Sequence, residues 1–128
     1  MKEKVKNERY EEDKQRVCWY KDGLLHRLDG PAVEYTNGAK FWYLNGKRHR
    51  TDGPAAEYAN GDNEWFLNGQ YHREAGPAVE DASGYKEWWM NGVQYSKEEF
   101  NQWLEKYQLN KKLEATLEEK PSVKKVKI

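Results

Sequence analysis

Pro31 to Gly53 reads PAVEYTNGAKFWYLNGKRHRTDG, and Pro54 to Gly76 restates it as PAAEYANGDNEWFLNGQYHREAG, a period of 23 residues. His26-Arg27, His49-Arg50 and His72-Arg73 keep that step. Gly30-Pro31-Ala32, Gly53-Pro54-Ala55 and Gly76-Pro77-Ala78 keep it too, and so do Trp19, Trp42, Trp65 and Trp88. A period of this length marks a stack of small units, each resting on its neighbour. Such a stack favours a binding surface over a one-pocket enzyme.

Each copy carries its own turn signals. Asn37-Gly38 and Asn45-Gly46 are dipeptides that tolerate the positive φ of tight hairpins. Between them lie short segments rich in β-formers: AVEY, AKFWYL and KRHR. The Asp-Gly-Pro closing the copy cannot continue a ladder, because Pro lacks an N–H. The pattern predicts an all-β repeat, an antiparallel hairpin meander stack, over 17–95. Alternation puts Ala32 and Glu34 on one face, and Val33 and Tyr35 on the other. The recurring Trp reads as the core residue of each unit. A sheet face studded with Tyr35, Tyr43, Tyr58 and Phe66 is the candidate protein-contact surface, since aromatics dominate binding hot spots.

The flanks differ in kind. Residues 1–16 form a charged arm with six basic and five acidic residues, expected as a frayed helix or a disordered lead-in. Ser96-Lys97-Glu98-Glu99 is a capping box, followed at helical spacing by Phe100, Trp103, Leu104 and Tyr107. This predicts a C-terminal α-helical cap over 96–119, its apolar stripe lying on the open end of the last hairpin. Leu109, Leu113 and Leu117 extend that helix or begin another. Residues 120–128 read as a flexible basic tail.

Composition narrows the function classes. The chain has 128 residues, 37% hydrophobic, 34% charged and 14% aromatic. Its mean hydropathy is −1.23. That suits one small domain whose aromatics supply most of the burial. Residues 17–95 hold 8 basic and 11 acidic side chains, a net charge of −3. A duplex binder carries a basic face, so nucleic acid is not the expected partner of the repeats. The single Cys18 cannot form an internal disulfide. No apolar run is long enough to cross a bilayer, and the charged N-terminus is unlike a signal peptide. The reading is a cytoplasmic protein with no membrane partner.

The His-Arg pairs His26-Arg27, His49-Arg50 and His72-Arg73 are the sharpest candidates for chemistry. A structural role pairs each Arg with Glu34, Glu57 or Glu80. A ligand role uses guanidinium and imidazole, with a neighbouring aromatic stacked on the base, to hold an anionic small molecule such as a nucleotide. A shared metal fails on distance: units of two or three strands put successive histidines on the order of 10–14 Å apart, whereas zinc needs donors within ~2.1 Å. In the fourth copy, Tyr95-Ser96 replaces His-Arg just where no further unit follows. Residues that vanish with the junction are those expected to build it. No nucleophile, phosphate-cradling loop or convergent acid–base set is visible. The expectation is therefore no enzyme, no catalytic residue, no cofactor and no metal.

The units resemble the MORN repeat family. The resemblance rests on the 23-residue period, on Tyr43-Leu44-Asn45-Gly46-Lys47-Arg48-His49, on Phe66-Leu67-Asn68-Gly69-Gln70-Tyr71-His72, and on the turn Asn60-Gly61-Asp62. It departs from the family where Arg27, Arg50 and Arg73 replace the Gly after His, and where Gly-Pro-Ala replaces the next Gly. This version is similar to repeats in proteins of large DNA viruses, phages and some bacteria. The resemblance implies a twisted hairpin stack with a protein-binding or scaffolding role. For a viral protein it implies the host cytoplasm and interaction with host defence. The alternative, resting on the His-Arg pairs and their neighbouring aromatics, is a sponge that sequesters an anionic signal, and only its viral setting comes from the resemblance. The lipid contact sometimes ascribed to the family suits a negatively charged block poorly, and no catalytic residue transfers.

Overall fold

The structure, a computed structural model, describes residues 8–118. The chain divides into two compact units at Tyr95/Ser96. The first is an antiparallel β meander and the second is a single helix.

The meander begins with β1 (Glu8–Asp13), β2 (Arg16–Lys21) and β3 (Leu24–Leu25). The next copy supplies β4 (Val33–Tyr35), β5 (Lys40–Phe41), β6 (Tyr43–Leu44) and β7 (Lys47–Arg48). Its successor supplies β8 (Ala56–Glu57), β9 (Asn63–Glu64), β10 (Phe66–Leu67) and β11 (Gln70–Tyr71). The series closes with β12 (Val79–Glu80), β13 (Lys86–Met90) and β14 (Val93–Tyr95). Among the described residues, one sheet runs β1-β2-β4-β5-β8-β9-β12-β13-β14, and β6-β7 and β10-β11 form separate two-stranded ladders. Each 23-residue copy thus advances the main sheet by two strands.

The tryptophan is where the chain changes ladder. Trp42 donates its N–H to Ala55 O at 2.8 Å, inside the main sheet, and accepts from His49 N at 3.1 Å, inside the side hairpin. Trp19 and Trp65 do the same with Ala32 and His26, and with Ala78 and His72. The segment AKFWYL therefore splits in two at its tryptophan. Asn45 and Asn68 open the side-hairpin turns and Asn91 the β13–β14 turn, all with φ near 50° and each followed by a glycine near 80°, as type I′ turns require.

The core is thinner than the tryptophans suggest. Ala32, Ala55 and Ala78 are fully buried, whereas Trp19, Trp42, Trp65 and Trp88 are half-buried. The residue that fills each junction is the small one. Ala55, Ala56 and Phe66 form a buried cluster with Phe41, Trp42, Tyr58 and Tyr71 packed against it.

Residues 8–16 correct one expectation. They form β1 and its turn rather than a helix or lead-in, with Arg9 opposite Trp19 and Asp13 opposite Arg16. Residues 1–7 and the expected basic tail lie outside the described residues. In the second unit, α1 (Lys97–Glu118) is one continuous helix that includes Leu109, Leu113 and Leu117. Ser96 N donates to Glu99 Oε1 at 2.9 Å, and Glu99 N to Ser96 Oγ at 3.0 Å, which closes the capping box.

Candidate functional site

Strand alternation gives the main sheet two chemically different faces. On the face of Ala55 and Glu57, each arginine folds back over its own tryptophan. The guanidinium carbon stands 4.2 Å from the Trp19 ring for Arg27, 3.8 Å from Trp42 for Arg50 and 3.8 Å from Trp65 for Arg73. Nη1 donates to the carbonyls of Pro31, Pro54 and Pro77 at 3.1, 2.9 and 3.0 Å. The same nitrogen meets Glu34, Glu57 and Glu80 at 3.7, 3.2 and 3.7 Å. Nε bonds Asp29 at 3.1 Å and Asp52 at 3.0 Å; in the third copy Ala75 leaves that place without a carboxylate. The three cations are thus held within the stack by a ring, a carbonyl and carboxylates.

This clamp accounts for the glycine three residues after Arg27 and Arg50, and not for Gly76 after Arg73. A Cβ on Gly53 would stand 2.8 Å from Arg50 Cζ, whereas one on Gly76 would stand 3.5 Å from Arg73 Cζ. Gly53→Ala is expected to displace the guanidinium from Trp42 and cost about 1–2 kcal/mol, as overpacking does. Gly76→Ala, at ordinary contact distance, should be near neutral. Paired urea melts of the two variants check the difference, and equal midpoints would refute the clamp.

The histidines serve a second junction. His26 Nδ1 accepts from Asn45 N at 2.8 Å, His49 Nδ1 from Asn68 N at 3.0 Å, and His72 Nδ1 from Asn91 N at 2.9 Å. Each imidazole pins the turn of the next copy, and its Nδ1 must be unprotonated to do so. His26 is buried, and burial, followed by nearby Lys21 and opposed by Asp22, holds it below the usual histidine value of 6.5. Its contribution is therefore complete above pH 6.5 and lost as pH falls through the lower folded value. Melts should therefore show higher stability at pH 7.5 than at pH 5, with His26 contributing at most about the 1 kcal/mol of one such bond. His26→Phe should shrink that difference while lowering stability at pH 7.5.

The loops carrying these pairs wall two clefts. The first, about 520 Å³, is lined by Arg27, Leu28, Trp42, Leu44 and His49, among others. The second, about 500 Å³, is lined by Arg50, Thr51, Trp65, Leu67 and His72, among others. Every lining residue of the first has its counterpart 23 positions on in the second, and Arg50, Thr51 and Asp52 belong to both. One loop is thus the shared wall of two equivalent grooves. The side chains of Arg27, Arg50 and Arg73 are 21, 22 and 26% exposed, whereas Asp29 and Asp52 are 83 and 84% exposed and Glu74 is 52%. The positive charge lies sunken and the negative charge forms the lips.

On the opposite face, Tyr35, Tyr43 and Tyr58 are half-buried and Phe66 is buried. Phe66 therefore belongs to the core and corrects the expected contact set. Tyr35 meets Phe41 edge-on at 5.9 Å, and Phe41 meets Tyr58 at 5.3 Å. Arg48 lies between the Phe41 and Phe66 rings at 5.0 and 5.4 Å, with its Nε bonded to Tyr43 at 3.2 Å.

The His-Arg pairs are distributed one per copy and do not converge on a single point. Among the described residues, no group of three or more His, Cys, Asp or Glu is placed to hold a metal ion. Cys18 is buried and unpaired to any other cysteine. No described helix is long and apolar enough to cross a membrane. The cleft floors Leu44 and Leu67, and the histidine acceptors of the Asn turns, escaped sequence reasoning. Their only trace was the shared 23-residue step. Compared with protein-family models, curated proteins and solved structures, the chain matches none.

Proposed function

We propose that this protein is a non-enzymatic protein-interaction or scaffold module, an accessory protein of a virus, phage or bacterium that works in the cytoplasm. The observation that carries this reading is the internal commitment of all three arginines, which leaves two equivalent open clefts as the presented surface. The viral or bacterial setting and the MORN-like kinship rest on the sequence resemblance alone. Capture of an anionic nucleotide is less well supported. Phosphate would meet guanidiniums whose charge is already matched by Glu34, Glu57 and Glu80 and whose rims carry further carboxylates. The full chain, immobilised and offered host lysate, should retain a protein that Leu28→Lys, altered at the first cleft, releases. A panel of mono-, di- and cyclic nucleotides should leave its melting temperature unmoved. Stabilisation near ~2.7 kcal/mol at 100-fold saturation by one nucleotide, with no protein retained, would reverse the assignment.

A further inference from the structure

We infer that the two clefts are successive subsites for one extended basic segment of a partner protein, of polyproline-II form, with Lys or Arg at every third residue. The inference rests on the interaction-module reading and names its ligand. Three features carry it: the spacing of the clefts, their floors and their lips.

Spacing comes from the sheet. One copy advances the main sheet by two strands, for example from β4 and β5 to β8 and β9. At ~4.8 Å per strand, equivalent points in the clefts lie about 10 Å apart. A polyproline-II helix has 3 residues per turn and a rise of ~3.1 Å, so residues i and i+3 project from one side about 9.3 Å apart. A β-strand repeats its face at about 6.8 and 13.6 Å and misses the step. An α-helix meets it only at about every seventh residue, and its intervening turn falls on the shared wall of Arg50, Thr51 and Asp52.

The floors are apolar and long. Trp42 with Leu44, and Trp65 with Leu67, offer surface to the methylene stem of a lysine or arginine. The lips are acidic: Asp29 and Asp52 flank the first cleft, Asp52 and Glu74 the second, and all three carboxylates are exposed. The sunken arginines are already matched by Glu34, Glu57 and Glu80. Asp29 and Asp52 also bond Arg27 and Arg50, and Glu74 faces His72, yet six carboxylates stand around three guanidiniums, so an incoming cation meets a net negative surface, in keeping with the net −3 of residues 17–95.

The test is fluorescence anisotropy of the full chain with four labelled peptides. One carries lysine at every third position among prolines. Two have the same composition with lysines at every second and every fourth position. The last carries glutamate in place of lysine at every third position. The every-third lysine peptide should bind at least ten-fold tighter than the others. Leu28→Lys, at a residue 76% exposed, should weaken it about ten-fold by closing one subsite. Asp52→Asn should remove the spacing preference, because both subsites share that carboxylate. Equal binding of all lysine peptides, preference for glutamate, or no binding at all would overturn the inference. If no lysine peptide binds yet Leu28→Lys still releases the captured protein, the ligand class is wrong and the interaction module stands. If neither peptide nor protein is retained and a nucleotide stabilises the fold, the module itself falls.

Discussion

Trp42→Ala is expected to destabilise the repeat unit by about 3 kcal/mol, the lower end for loss of a large aromatic because the ring is half-buried. The loss has two parts. The inner face of the ring packs on the Ala55, Ala56 and Phe66 cluster. Its outer face carries the Arg50 guanidinium at 3.8 Å, which would then lie over a void. For a small domain this is a large share of total stability. Chemical denaturation followed by far-ultraviolet circular dichroism measures it. Trp88→Ala is the comparison, since the fourth copy has Tyr95-Ser96 in place of His-Arg. An unchanged midpoint for Trp42→Ala, together with lost partner binding, would make the ring a ligand platform instead.

Glu64→Leu should cost about 2 kcal/mol through the opposite face, below the range for a fully buried pair because its side chain is 19% exposed. Tyr58 donates to Glu64 Oε1 at 3.1 Å and Tyr71 to Oε2 at 3.4 Å, while Arg48 Nη1 stands 3.9 Å away. Removing the carboxylate leaves two phenols without their acceptor and an arginine between aromatic rings without its counter-charge. The same site predicts alkaline behaviour. Burial, then the Glu64 charge and hydrogen bond, push Tyr71 from 10 up to about 12. A raised folded value stabilises fully below pH 10, and that contribution is lost as pH climbs toward about 12. Ultraviolet titration of phenolate should show a late-ionising tyrosine that vanishes in Tyr71→Phe and moves earlier in Glu64→Gln.

How far the sequence discloses this arrangement depends on the range of each interaction. The turns were legible because Asn-Gly and Gly-Pro act locally, and Asn45, Asn68 and Asn91 hold the positive φ their pairing with glycine implies. The capping box at Ser96 is legible for the same reason. The pairing of each arginine with Glu34, Glu57 or Glu80 could be read from their joint recurrence. The rest was hidden by distance or brevity. His49 reaches a backbone amide 19 residues away, a partner that no side-chain pattern announces. Most strands here are two residues long, too short for alternation to separate a buried Phe66 from a half-buried Tyr43. The charged arm concealed β1, because a run of alternating signs reads as solvated chain until a neighbouring strand supplies its register.

The histidine fastenings run in one direction and reach one copy ahead: His26 to Asn45, His49 to Asn68, His72 to Asn91. A genetic slip that duplicates or excises one whole 23-residue copy leaves every such fastening with a partner of the same kind. A slip of any other length severs one. The fold therefore tolerates a change of length in whole copies, and an added copy would bring a further groove in register with the last.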